Sequence, residues 1–149
     1  MFAATAPVMK ALLPRAADDR PVLVMPGFMA GDGSTLPLRL VLSGLGHTTH
    51  GWGLGRNIGP TDEIIDGMVA LVDELTADGT PIDIVGWSLG GLYGREVARL
   101  APHAVRQVIT LGSPFQTDGP HQSNASVAFT ALRRRHARHL LDHRLPCLL

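Results

Sequence analysis

The sequence predicts an α/β fold, with a parallel sheet carrying helices on both faces, and three observations support that expectation. Short continuous apolar runs recur, as strands buried on both faces require. Stretches with apolar residues at helical spacing separate them. Glycine, proline and N-capping residues punctuate the boundaries. Strand, helix, strand, helix, strand, helix, strand is the order that builds a parallel sheet.

Each element has its own signal. Residues 1–20 show no clear period beyond a loose helix around Val8 to Leu13. Pro21 to Pro26 is an apolar run bounded by prolines, a strand expectation. After the loop from Gly27 to Gly33, Ser34 or Thr35 can cap a helix with Pro37 in its first turn. Leu38, Val41, Leu42 and Leu45 follow, and Gly46 ends the helix. His47 to Trp52 is the next strand expectation, leading into a glycine-rich loop, 53–59. Thr61 is a good N-cap, with Asp62 and Glu63 placed against the helix dipole. Ile64, Ile65, Met68, Leu71, Val72 and Leu75 form the stripe behind it, and Gly79 closes the segment. Residues 81–85 and 108–111 read as further strands, with a helix from Leu89 to Leu100 between them. The expected organisation is an extension over 1–20, a core over 21–115, and a loop with a basic helical tail over 116–149.

Composition narrows the function classes. Apolar residues make up 45% of 149 residues, so the chain has the material for one globular core. A formal net charge of zero gives no global attraction to nucleic acid or anionic membrane. The basic stretch with Arg133, Arg134, Arg135, His136, Arg138, His139, His143 and Arg144 lacks interleaved aromatics. No apolar run approaches the roughly 18 residues of a membrane span. The start of the chain has no basic segment ahead of an apolar stretch, so the expected location is cytoplasmic. The single cysteine, Cys147, cannot form an internal disulfide. The glycine-rich stretch 51–59 fails the dinucleotide pattern, because Ile58 stands where its third glycine belongs, and it reads equally as a flexible loop or a plain connection. No cofactor or metal is implied.

One motif carries chemistry. Gly86-Trp87-Ser88-Leu89-Gly90 fits G-x-S-x-G, directly after a predicted strand and directly before a predicted helix. Gly86 and Gly90 permit a sharp turn, which lifts the Ser88 hydroxyl above the strand end. The following helix presents its positive end to any developing oxyanion. Gly91 extends the small-residue stretch and lets helix and strand approach closely.

From Pro21 to Phe115 the chain resembles the α/β-hydrolase family, among its lipase and esterase-like members. The stretch from Gly86 to Tyr93 resembles the family's nucleophile elbow, and Pro26-Gly27-Phe28 resembles its oxyanion loop. Gly51-Trp52-Gly53-Leu54-Gly55-Arg56-Asn57 is similar to a segment of uncharacterised bacterial members, and Leu111-Gly112-Ser113-Pro114 to the end of the strand after the nucleophile helix. The resemblance implies that Ser88 is the nucleophile. It also implies an oxyanion hole made by the backbone N–H groups of Phe28 and Leu89. The substrate implied is a small carboxylic (acyl) ester. Trp52, Trp87 and Phe28 are candidates to line an apolar pocket, Trp87 equally a packing residue.

The triad acid and base stay unassigned. The family order is Ser, then Asp or Glu, then His. Asp118 follows the last predicted strand, and His121, His136, His139 and His143 come later without a strand to carry them. Asp142 and His143 are neighbours, and adjacent helical residues do not face each other. The expectation is a partial fold whose last strands are missing, as in a C-terminally truncated or frame-disrupted chain. Its exposed sheet edges would favour self-association. The alternative function is an inactive or incomplete hydrolase-like domain that binds an acyl ligand or a partner chain. Thioester or amide cleavage is a third option.

Overall fold

A computed structural model describes residues 20–59 and 61–113. Strand β1 spans Pro21–Met25, helix α1 Asp32–Gly44, β2 Thr48–Gly51, α2 Asp62–Leu75, β3 Ile82–Trp87, α3 Leu89–Leu100 and β4 Val105–Leu111. All strand pairs are parallel, and the spatial order is β2-β1-β3-β4. Chain order and spatial order differ at one place. From β1 the chain moves outward to β2, then returns past β1 to form β3 on its other side. Parallel crossovers are right-handed, so the outward and returning connections put their helices on opposite faces. Accordingly α1 packs through Leu38 and Leu42 on Val22, Val24 and Val85. Helices α2 and α3 bring Ile64, Ile65, Met68, Val72, Leu92, Tyr93 and Val97 onto Leu23, Met25, Ile82 and Ile84. Alternating residues of β1 and β3 thus serve two different cores, which is why their sequences read as unbroken apolar runs.

The expected helix starts and stops are partly corrected. Thr61 does cap α2, its hydroxyl accepting from Ile64 N at 3.3 Å. Ser34 and Thr35 do not cap α1, which begins earlier, with Gly31 as N-cap, and places Pro37 inside the helix. Their hydroxyls instead donate to the carbonyls of Gly31 and Asp32. The physical reason lies in Asp32. Its carboxylate accepts from Trp52 N at 2.9 Å and Gly53 N at 3.0 Å, which ties the helix start to the end of β2. At the other end, Gly46 N donates to Ser43 O and His47 N to Leu42 O, with Gly46 at φ 99°. This is the Schellman arrangement, which glycine enters without a Cβ penalty.

Strand β4 is longer than expected, starting at Val105 rather than Val108. Its first half was hidden by Arg106 and Gln107, which have a structural use. A register shift opposite Ile82 and Asp83 turns both side chains to the buried Asp83 carboxylate. A buried carboxylate without such partners would be costly. None of the helices among the described residues is long and apolar enough to cross a membrane.

Candidate active site

The carboxyl ends of β1 and β3 lie side by side, and the chain leaves them in opposite directions. Ligands of open α/β sheets bind in the crevice at such a switch point. The segments that emerge there are 26–31 after β1 and Ser88 after β3.

Ser88 is held at φ 51° and ψ −115°, a conformation that side chains rarely adopt. The surroundings enforce it. Ser88 N donates to Leu111 O at 2.8 Å, and Ser88 O accepts from Gly91 N at 3.1 Å and from Ser113 Oγ at 2.7 Å. The glycines of the elbow are required by contact rather than by φ. A Cβ on Gly86 would collide with Gly91, one on Gly90 with the carbonyl of Met25, and one on Gly91 with Ser113 Oγ. Strand and helix therefore meet backbone to backbone, with the half-buried Ser88 at the apex. Its hydroxyl has no hydrogen-bond partner among the described residues.

Across the crevice, Gly27 faces the elbow so closely that a Cβ there would lie 3.4 Å from Ser88 Cβ. The next residues differ in how their amides are used. Met29 N donates to Asn57 O at 2.6 Å and Ala30 N to Gly27 O at 3.2 Å. Phe28 N has no acceptor among the described residues. Leu89 opens α3, so its N–H has no carbonyl one turn back and sits at the positive end of the helix. Two amides without an acceptor among the described residues thus stand next in the chain to Gly27 and to Ser88, which face each other across the crevice. Met29, at φ 61°, is the other described non-glycine residue with positive φ, and backbone strain of this kind collects at functional sites.

The aromatic expectations divide. Trp52 lines no pocket: it is fully buried, and its Nε1 donates to Gly55 O at 2.9 Å. Phe28 and Trp87, which follow Gly27 and precede Ser88 in the chain, are more than half exposed, at 58% and 52%. The glycine-rich segment 51–59, expected as a flexible loop or a plain connection, is tied down at several points. Gly51 leaves room for the Asp32 carboxylate, and Asn57 is fully buried and hydrogen-bonded to the segment after β1. Asp32, Asn57 and Ser113 escaped the sequence reading. Asn57 and Ser113 fall in stretches that resemble the family, at 51–57 and 111–114, whereas Asp32 had no signal.

No described histidine lies beside Ser88. His47 precedes β2 and His103 precedes β4, at the opposite end of the sheet, while His50 lies in β2 in register with Leu23. The buried carboxylates are committed elsewhere, Asp83 to Arg106 and Glu96 to Arg99. Asp118, His121, His136, His139, Asp142 and His143 lie outside the described residues. Among the described residues no three His, Cys, Asp or Glu side chains converge as a metal site would need.

Comparison with solved structures places this architecture. A protein described as a non-haem bromoperoxidase from Mycobacterium tuberculosis superposes with a TM-score of 0.51 at 17% identity, over 88% of this chain and 48% of that one. The thioesterase domain of a curacin biosynthetic pathway does so with a TM-score of 0.51 at 14% identity, over 91% and 57%. The fold is a partial α/β-hydrolase fold. A second Mycobacterium tuberculosis protein matches with a TM-score of 0.50 at 17% identity, over 88% and 47%. The chain spans about half the length of these α/β-hydrolase structures. No family model matches the sequence, and no curated protein does.

Proposed function

We propose that this chain is the nucleophile-bearing part of a serine hydrolase that acts on carboxylic (acyl) esters, in the manner of esterases and lipases. One observation carries the reading: Ser88 is held at positive φ at the switch-point crevice, facing Gly27, and the N–H groups of the next residues on each side, Phe28 and Leu89, have no acceptor among the described residues. In the proposed reaction Ser88 Oγ bonds to the ester carbonyl carbon, and the carbonyl π electrons move onto oxygen. The two amides donate to that oxyanion, and the seryl proton passes to a base. Collapse of the adduct expels the alcohol and leaves an acyl-serine, which water then releases. In the family the base is a histidine later in the chain than the nucleophile, and the residue that serves here is unassigned.

The similarity to a thioesterase domain supports acyl carbonyls as the substrate class, because the same attack and the same two donors serve a thioester. A second reading, an acyl-binding domain without turnover, draws on the Ser88 hydroxyl having no partner among the described residues. Hydrolysis of a short-chain p-nitrophenyl ester by the purified chain, beside its Ser88→Ala variant, decides between them. Turnover that vanishes in the variant is the expected result. Equal rates at background would leave a binding domain.

A further inference from the structure

We propose that Asn57 is the positioning residue of the oxyanion-binding loop, holding the Phe28 amide toward Ser88. The inference rests on the function proposed above and assigns a role to the glycine-rich segment 51–57, which that function leaves unused. Asn57 is completely buried, and every one of its backbone and side-chain polar groups is used. Its Nδ2 donates to Pro26 O at 2.9 Å, its N to Ala30 O at 2.8 Å, and its O accepts from Met29 N at 2.6 Å. These three bonds grip the loop on both sides of Phe28, whose own N–H has no acceptor among the described residues.

The amide orientation follows from the partners. Pro26 O can only accept, so Nδ2 must face it. Gly59 N can only donate, so Oδ1 must face that side, at 3.2 Å. Tyr93 OH adds a bond to Oδ1 at 3.4 Å, and Tyr93 stands on α3, the helix that Ser88 starts. Asn57 therefore ties the loop after β1 to α3, the helix that Leu89 opens. Aspartate has nearly the same shape but would set an acceptor against Pro26 O and bury a charge.

The test begins on the wild-type chain with residue-resolved amide hydrogen exchange. Met29 and Asn57 N–H are expected to exchange at least about a hundredfold more slowly than Phe28 N–H. Equal, fast exchange at all three overturns the proposal. Next, Asn57→Ala and Asn57→Asp are compared with wild type in kcat per phosphonate-titrated serine, and in KM. Loss of one oxyanion donor lowers kcat by about 10²–10³-fold, so a fall of about 30- to 300-fold with KM within about threefold is expected. Affinity for a trifluoromethyl ketone, which forms a tetrahedral adduct, should fall by the same factor. Unchanged kcat per titrated site overturns the proposal, since a merely structural role would lower only the number of competent sites. If the wild type hydrolyses nothing, the proposed function fails instead. The positioning role is then decided by exchange in Asn57→Ala, where Met29 and Ala30 must speed up while Leu23 and Ile84 stay protected. If the variants do not fold, the wild-type exchange pattern decides alone.

Discussion

Replacing Ser88 by glycine separates what the elbow does for chemistry from what it costs the fold. Ser88 sits at φ 51° and ψ −115°, and a residue in so sparsely populated a region costs about 1–3 kcal/mol. Glycine enters that region freely, but its unfolded chain has more freedom to lose, at about 0.5–1 kcal/mol. The hydroxyl removed makes no hydrogen bond among the described residues, so its loss adds little. Ser88→Gly should therefore stabilise the chain by about 1 kcal/mol net. For a chain of this size that is a Tm rise of about 3 °C. Ser88→Ala keeps the strain and should stay within about 0.5 kcal/mol of wild type. Both variants lose any Ser88-dependent turnover. Thermal unfolding followed by circular dichroism, with urea unfolding for the free energies, reads the difference. A Ser88→Gly protein no more stable than Ser88→Ala would refute the claim that the backbone is strained at the nucleophile.

Three further outcomes follow from the packing. Gly90→Ala should cost about 2–3 kcal/mol in urea unfolding, because the new Cβ meets the Met25 and Pro26 backbone, whereas Gly33→Ala, in open space on α1, should gain about 0.5–1 kcal/mol. Asp83→Ala should cost about 1–3 kcal/mol by the same measurement, since the charge-assisted hydrogen bonds that Arg106 and Gln107 make to the buried carboxylate are lost. Burial pushes the Tyr93 hydroxyl well above its ordinary 10.0, so the folded state resists its ionisation. That stability is complete below pH 10 and is lost as pH rises from there toward the folded value. Tyr93 is the only tyrosine, so phenolate absorbance at alkaline pH reports it alone and should rise only together with loss of the far-ultraviolet helix signal.

Much of the fold was legible because its signals are local. Helix α3 has the bounds that the elbow and its apolar spacing predicted, and β1 and β3 read as apolar runs because each serves two cores. The misses have one physical source, partners distant in sequence. The start of α1 is set by Asp32 reaching Trp52 and Gly53, and the first half of β4 by a carboxylate on β3. The site shows the same division. Ser88 and its glycines form a contiguous pattern whose strand-to-helix context is readable. Asn57 acts on Pro26, Met29 and Ala30 through pairings that no periodicity encodes, and Ser113 is a serine after a strand until its hydroxyl is seen on Ser88 O. The segment around them read as a flexible loop because glycine content tracks backbone freedom, whereas here Gly51 makes room for a carboxylate.

The most direct test of an activated nucleophile at the elbow is covalent labelling of the purified chain with a fluorophosphonate, followed by intact-mass and peptide mass spectrometry. One adduct per chain is expected, formed as Ser88 Oγ loses its proton and bonds to phosphorus while fluoride leaves, located on the peptide containing Ser88 and absent from Ser88→Ala. No adduct on the wild type, or one that persists in Ser88→Ala, would contradict it.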